Sequence, residues 1–167
     1  MGNYWTSLPT WPVTSVTQYF FHPGRALSTS IPTSSNSFES YVYDPSNPIK
    51  TPGGFNLAPP CGPQGLSDME KRADVLVFTT PILTKPVAIV GRVEAVLYVS
   101  SSAVDTDFTV FVSDVHPDNS SILLQDGVIR MRWRDGNVRT FFFLYFSIFF
   151  FSFFFFYFFF FFFCCGR

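Results

Sequence analysis

Ten of the first 65 residues are proline: Pro9, Pro12, Pro23, Pro32, Pro45, Pro48, Pro52, Pro59, Pro60 and Pro63. Proline fixes φ and donates no backbone hydrogen bond, so no long helix can form across this region. Short extended pieces remain possible, such as residues 16–21 and 41–43, and Pro52-Gly53-Gly54 is a turn signal. Ser67-Asp68-Met69-Glu70 has the spacing of a capping box, with Ser67 placed to cap and Glu70 to reach back. One or two helical turns are all that fit before β-type residues take over.

From Asp74 onward the pattern is strand after strand. Val75-Leu76-Val77-Phe78 is a short apolar run, and residues 87–90 form another. Residues 92–99 alternate, with Val93, Ala95, Leu97 and Val99 on one face. Period two marks a half-buried strand. Phe108, Val110 and Val112 repeat it, His116-Pro117-Asp118-Asn119 reads as a turn, residues 122–124 as a short strand, and Asp126-Gly127 as another turn. Then Ile129, Met131 and Trp133 share one face, which predicts a buried Trp133, while Arg130, Arg132 and Arg134 share the other. A one-residue slip would bury three arginines, so the register is well specified. Short strands separated by turn signals predict an all-β sandwich or barrel.

The pattern breaks at Thr140. Seventeen of the 24 phenylalanines lie within residues 141–163, a stretch with no charge. The expected organisation is a β-sandwich over residues 1–139 and a Phe-rich, low-complexity tail over 140–167. A run of this length could cross a bilayer as a helix. Natural spans, however, are rich in Leu, Ile, Val and Ala, with aromatics at the rims. A single-nucleotide tract read in frame yields such a run directly, and composition favours that origin over an anchor. A membrane location is expected only if 141–163 is a genuine span. In water the run would be an aggregation hazard.

The segment before the tract holds all 12 acidic residues and 10 of the 11 basic ones, a net charge of −2. This near-neutral balance carries no nucleic-acid footprint. Cys61, Cys164 and Cys165 form neither a CxxC pair nor a disulfide framework. The N-terminus has no signal-peptide pattern, and Gly2 with Thr6 matches the loose myristoylation pattern by chance.

Chemistry-bearing motifs are few. No G-x-S-x-G elbow occurs, and Ser100-Ser101-Ser102 reads as a polar strand end. His22 and His116 both precede proline and read as loop residues without a nucleophile or an orienting partner. Asp105-x-Asp107 lacks the further oxygen ligands and glycine of a calcium loop, so no metal is expected there. Cys61 reads as a loop thiol. Gly53-Gly54 lacks the Lys-Ser/Thr of a phosphate loop. No catalytic residue and no cofactor is expected.

Several stretches together are specific: Tyr41-Val-Tyr-Asp-Pro-Ser-Asn-Pro48 followed by Thr51-Pro-Gly-Gly54; Glu70-Lys-Arg-Ala-Asp-Val-Leu-Val-Phe-Thr-Thr80; Val99-Ser-Ser-Ser-Ala-Val-Asp-Thr-Asp-Phe108, running into Asp114-Val-His-Pro-Asp118; and Gly127-Val-Ile-Arg-Met-Arg-Trp-Arg134. Over residues 1–136 the chain resembles the cocaine-esterase and X-Pro dipeptidyl-peptidase family. The resemblance implies an α/β-hydrolase with a Ser-His-Asp triad, followed by a C-terminal jelly-roll domain similar to galactose-binding modules. All the matching stretches belong to that second, non-catalytic domain. The triad lies upstream in the family and has no counterpart here.

Two departures follow from the same comparison. Trp5 and Trp11-Pro12 resemble an internal stretch of family members, so Met1 is not expected to be a true start. After Arg134 the family continues with strands that complete the sandwich, so this chain is expected to be an incomplete, poorly stable jelly roll.

The expected function is that of an accessory domain of a serine hydrolase acting on X-Pro peptides or esters, partnered by an α/β-hydrolase catalytic domain. In such enzymes the module can wall one side of the substrate pocket, and the loop after Gly53-Gly54, with Phe55 and Leu57, is the candidate wall. The alternatives are a carbohydrate-binding jelly roll, which needs exposed aromatics beside polar groups, and a tail-anchored membrane protein. The latter would have Arg130, Arg132, Arg134 and Arg139 on the cytoplasmic side.

Overall fold

The computed structural model describes residues 7–34, 37–55 and 59–133, and as backbone the strands at 142–146 and 157–166. In chain order the strands are β1 (Phe20–His22), β2 (Ala26–Ser28), β3 (Leu76–Thr79), β4 (Gly91–Ala95), β5 (Thr106–Val115), β6 (Ser121–Arg130), β7 (Phe142–Phe146) and β8 (Tyr157–Gly166). A single helical turn, α1 (Ser67–Glu70), precedes β3. The fold is all-β, as the sequence pattern predicts. One six-stranded sheet runs β1-β2-β3-β8-β5-β6, and a second sheet pairs β4 with β7.

The large sheet is apolar on both faces. Val75 and Val77 alternate with Leu76 and Phe78, so each pair packs into a different cluster. Beneath one face lie Leu66, Met69, Val75, Phe111 and Leu123, with α1 and the chain leading to it as the cover. The other face gathers Leu27, Leu76, Phe78, Ala95 and Val110. There Phe21 packs edge-to-face on Phe78, ring centroids 4.6 Å apart, and fastens β1 to β3. In β5 the neighbours Val110 and Phe111 serve opposite clusters, both almost fully buried. Burial on both sides needs apolar residues at consecutive positions, which is why strict alternation fades in this strand.

Several local expectations are corrected. Asp126-Gly127 is not a turn: β6 runs straight through it, with Val110 opposite Gly127 and Phe111 opposite Asp126. Pairing with nine residues of β5 overrides the local turn signal. The irregularity sits instead between Val112 and Ser113, which face Gln125 and Leu123, leaving Leu124 as the extra residue of a bulge. The strand expected at 129–133 ends at Arg130, and Met131–Trp133 form a 3-10 turn. Trp133 is consequently 63% exposed rather than buried. Residues 41–43 and 87–90 are not paired as strands, although Tyr41 packs against the second cluster. The expected 16–21 strand shortens to Phe20–His22, so His22 closes a strand rather than lying in a loop. Ser67 is not a cap but the first residue of α1, whose N-cap is Leu66. The turn at His116-Pro117-Asp118-Asn119 is present, closed by the Asn119 N–H on His116 C=O at 2.8 Å.

The described parts of the Phe-rich tract, residues 142–146 and 157–166, are strands. β8 pairs antiparallel with β3 on one side and along the whole of β5 on the other, and β7 pairs with β4. Phenylalanine favours extended structure, and both β3 and β5 would otherwise present unpaired edges to each other. Among the described residues no helix is long and apolar enough to cross a membrane. Residues 141, 147–156 and 134–140 lie outside the described set, as do Leu57 and the Gly2–Thr6 match.

Phe111 fills its cluster with 1% of its surface exposed. Phe111→Ala is therefore expected to lower unfolding free energy by roughly 3–5 kcal/mol. Val128→Thr, at a position 65% exposed, is expected to change it by under about 0.5 kcal/mol. Chemical denaturation of the two variants checks both values.

Candidate functional site

Between Pro52 and Gln64 the two described limbs of a loop meet at Gly54 and Gly62. Its base is closed by two backbone hydrogen bonds, Gly54 N–H to Gly62 C=O at 2.9 Å and Gly62 N–H to Gly54 C=O at 3.0 Å. Gly53 and Gly54 both have φ of +72°, where a side chain is strained. Space reinforces the choice. A Cβ on Gly53 would stand 2.3 Å from the Gly62 carbonyl oxygen, and one on Gly54 would stand 2.8 Å from Asp126 Oδ1. The turn signal in the sequence thus marks a close approach of loop to sheet.

Asp126, from mid-β6, receives that approach. Its carboxylate accepts a hydrogen bond from the backbone N–H of Phe55. Burial raises the Asp126 pKa, with the Phe55 N–H and its own backbone N–H acting in the opposite direction. Phe55 itself points outward, 62% exposed. Of the two residues expected to form a pocket wall, Phe55 therefore sits on a pinned loop. Beyond the gap at 56–58 the loop continues through Pro59, Pro60 and an exposed Cys61 thiol.

The other chemistry-bearing residues are committed to holding the fold together. Arg72 donates to Asp74 (2.7 and 2.8 Å) and also to the Asn47 carbonyl at 2.8 Å, tying the 41–48 stretch to the 70–80 stretch. Arg130 grips Asp107 through two bonds of 2.6 Å. Arg132 takes Asp105, donating from Nε at 2.6 Å and from its backbone N–H at 3.1 Å. Burial opposes ionisation of Asp105, but the bonds and charges of Arg132 and Arg130 outweigh it and hold the pKa below the usual carboxylate range. The Asp105-x-Asp107 pair is thus an anchor for two arginines. A shallow cleft lies beside it, lined by Ser102, Val104, Thr106 and the paired charges. No group of three metal-ligating side chains occurs among the described residues.

Both histidines have partners that the sequence did not reveal. His22 Nε2 lies 3.0 Å from Ser28 Oγ and 3.0 Å from the Ser30 carbonyl oxygen. A carbonyl only accepts, so Nε2 carries the proton and cannot take one from Ser28. The pair has the outline of a serine–histidine dyad without its chemistry. His116 Nε2 stands 3.6 Å from Asp114 Oδ2, at the end of β5. Burial raises the Asp114 pKa, with His116 countering. On the opposite face, Ser121 Oγ lies 3.0 Å from Ser113 Oγ and bonds the Glu70 carboxylate, whose pKa burial also raises. Trp133 is exposed, but the polar groups next to it in the chain, Arg132 and its partner Asp105, are engaged with each other, which leaves little for a sugar hydroxyl.

The geometry is that of a β domain that carries a presented loop and whose polar signature residues stitch strands together. The description "X-Pro dipeptidyl-peptidase C-terminal non-catalytic domain" matches residues 1–139, and the chain belongs to that family. It is similar to the cocaine esterase of Rhodococcus sp. (strain MB1 Bresler), with 46% identity over 114 residues, 67% of this chain. It spans only 20% of that relative's length. Two solved structures share the fold at 20% identity. An alpha-amino acid ester hydrolase matches with a TM-score of 0.65, covering 98% of this chain and 32% of its own. An aminopeptidase from a marine sediment Thaumarchaeota archaeon matches at 0.67, covering 98% and 31%. The chain corresponds to the C-terminal non-catalytic domain of the X-Pro dipeptidyl-peptidase and ester-hydrolase family.

Two tests follow from these contacts. Arg130→Lys keeps the charge but loses the two-pronged grip on Asp107, and is expected to cost roughly 1–3 kcal/mol by thermal or chemical denaturation. Glu70 has a raised pKa in the fold, so its contribution to stability is present below the ordinary glutamate value and is lost as pH rises through the raised one. Glu70→Gln is therefore expected to raise the melting temperature at neutral pH and to flatten its dependence on pH from about 4 upward. An unchanged pH profile contradicts the assignment.

Proposed function

We propose that this chain is the accessory β domain of a serine hydrolase acting on esters or X-Pro peptides, and that it works against an α/β-hydrolase catalytic domain. In this reading residues 1–139 are the jelly-roll-type module, and the Phe-rich tail, 140–167, contributes β7 and β8 to its sheets. The loop carrying Phe55 and Leu57 walls one side of the substrate pocket. The observation that carries the proposal is the pinned 53–62 loop. A large aromatic side chain is held out from a rigid sheet, on a domain whose relatives are several times longer than the part this chain matches.

The chemistry of the described residues agrees with an accessory role. The Ser28 and His22 pair has its nitrogen oriented as a donor, and His116 faces the Asp114 carboxylate at 3.6 Å. An acyl-transfer site needs a nucleophile, a free base nitrogen and an orienting acid in one chain of hydrogen bonds. The reactive serine therefore has to be supplied by the catalytic domain, and this module contributes shape and apolar contact to the pocket.

The test is a chimera in which this chain replaces the matching segment of the Rhodococcus esterase. The chimera is expected to hydrolyse an aryl ester, whereas this chain alone is not. Phe55→Ala in the chimera should raise KM roughly five- to thirtyfold, the loss of ~1–2 kcal/mol of apolar contact, with little change in kcat. A folded chimera without activity, or hydrolysis by the isolated chain, refutes the reading.

A further inference from the structure

We infer that Asp126 is a positioning residue: its carboxylate latches the Phe55 backbone and sets where the 53–62 loop presents that side chain. The inference rests on the reading of the loop as a pocket wall and adds the element that orients it. It is drawn from the sheet rather than from the loop. Asp126 sits opposite Phe111 on β6, so its backbone is fixed by a nine-residue pairing with β5. From that base it reaches the loop at two adjacent residues. It accepts the Phe55 N–H and lies against the bare Cα of Gly54, where a Cβ would come within 2.8 Å of Oδ1. A backbone donor and a side-chain-free neighbour are what a carboxylate needs to approach a main chain this closely.

The latch and the base of the loop act together. The two hydrogen bonds between Gly54 and Gly62 hold the ends of the loop to each other, and the returning limb is tied to β6 by the Leu123 N–H on the Gln64 carbonyl and the Leu66 N–H on the Ser121 carbonyl, both 2.8 Å. Asp126 adds the tie on the outgoing limb, because it joins Phe55 to β6 one residue beyond that closure. Phe55 is the residue whose own N–H is held, so its side chain is the one most directly aimed. A half-buried carboxylate is a costly way to fill a surface, and no cation is paired with Asp126 among the described contacts. Its placement is accounted for by the main-chain donor it receives.

Amide hydrogen exchange on the full chain tests the latch, with Asp126→Ala, Asp126→Asn and Gly54→Ala compared against wild type. The Phe55 amide is expected to be protected in wild type. It should exchange roughly ten- to hundredfold faster in Asp126→Ala, while amides of β5 and β6 keep their protection. Asn retains an acceptor oxygen and should largely restore the protection. Gly54→Ala should lose it, since the added methyl displaces the carboxylate. A Phe55 amide that exchanges at the open-chain rate in wild type, or that Asp126→Ala leaves unchanged, overturns the inference. If Asp126→Ala unfolds the chain, protection in wild type and its behaviour in Asp126→Asn and Gly54→Ala still decide. In the chimera, Asp126→Ala should raise KM more than it lowers kcat, and Asp126→Asn should recover KM. A Phe55→Ala chimera with wild-type KM would remove the pocket-wall reading and leave the exchange result standing.

Discussion

Burial of β5 on both faces is the constraint on which the rest of the structure depends. Val110 and Phe111 are consecutive, yet each is at the heart of a different apolar cluster. Removing both side chains from water contributes on the order of 4–5 kcal/mol before entropy is counted. It also fixes the register, because a one-residue slip would exchange the two faces. β6 inherits its register from β5, and the position of Asp126 opposite Phe111 is a consequence. The loop that presents Phe55 is therefore located by β6, through the Asp126 carboxylate on one limb and the Ser121 and Leu123 backbone on the other.

The polar residues show a similar economy. Arg72 joins two stretches some twenty-five residues apart, and Arg130 and Arg132 join the start of β5 to the end of β6. These residues fall within the sequence stretches that resemble the hydrolase family. Their role in this domain is architectural: bidentate guanidinium grips define how strand ends and loops meet. A signature in such a domain marks the scaffold, and the enzymatic chemistry belongs to another part of the relatives' chains. This is how a domain can stay recognisable at 46% identity through the residues that hold its strand ends and loops together.

Much of this was legible in the sequence. Proline spacing excluded long helices, and the apolar run at 75–78 and the alternation over 92–99 pointed to β3 and to β4, although β4 ends at Ala95. The resemblance pointed to the non-catalytic domain. What local pattern could not give was where long pairing overrides a short signal. Asp126-Gly127 has the composition of a turn, but nine paired residues of β5 hold it straight. Ile129, Met131 and Trp133 alternate cleanly, but Asp105 draws Arg132 aside and the strand ends, so Trp133 is turned outward. The Ser28 partner of His22 and the Asp126 contact with Phe55 bring together residues 6 and 71 positions apart. No spacing rule connects them. Phenylalanine in strand positions was likewise hidden by its own abundance, since a uniform run carries no period.

The account rests on β5 being the most stable element, with the loop borne on it. Native-state hydrogen exchange along the full chain tests this most directly. The slowest amides are predicted to be those at the centre of β5, around Val110, Phe111 and Val112, exchanging only through global unfolding. If those amides exchange as fast as the amides of the exposed residues 81–90, β5 does not organise the domain and the account is wrong.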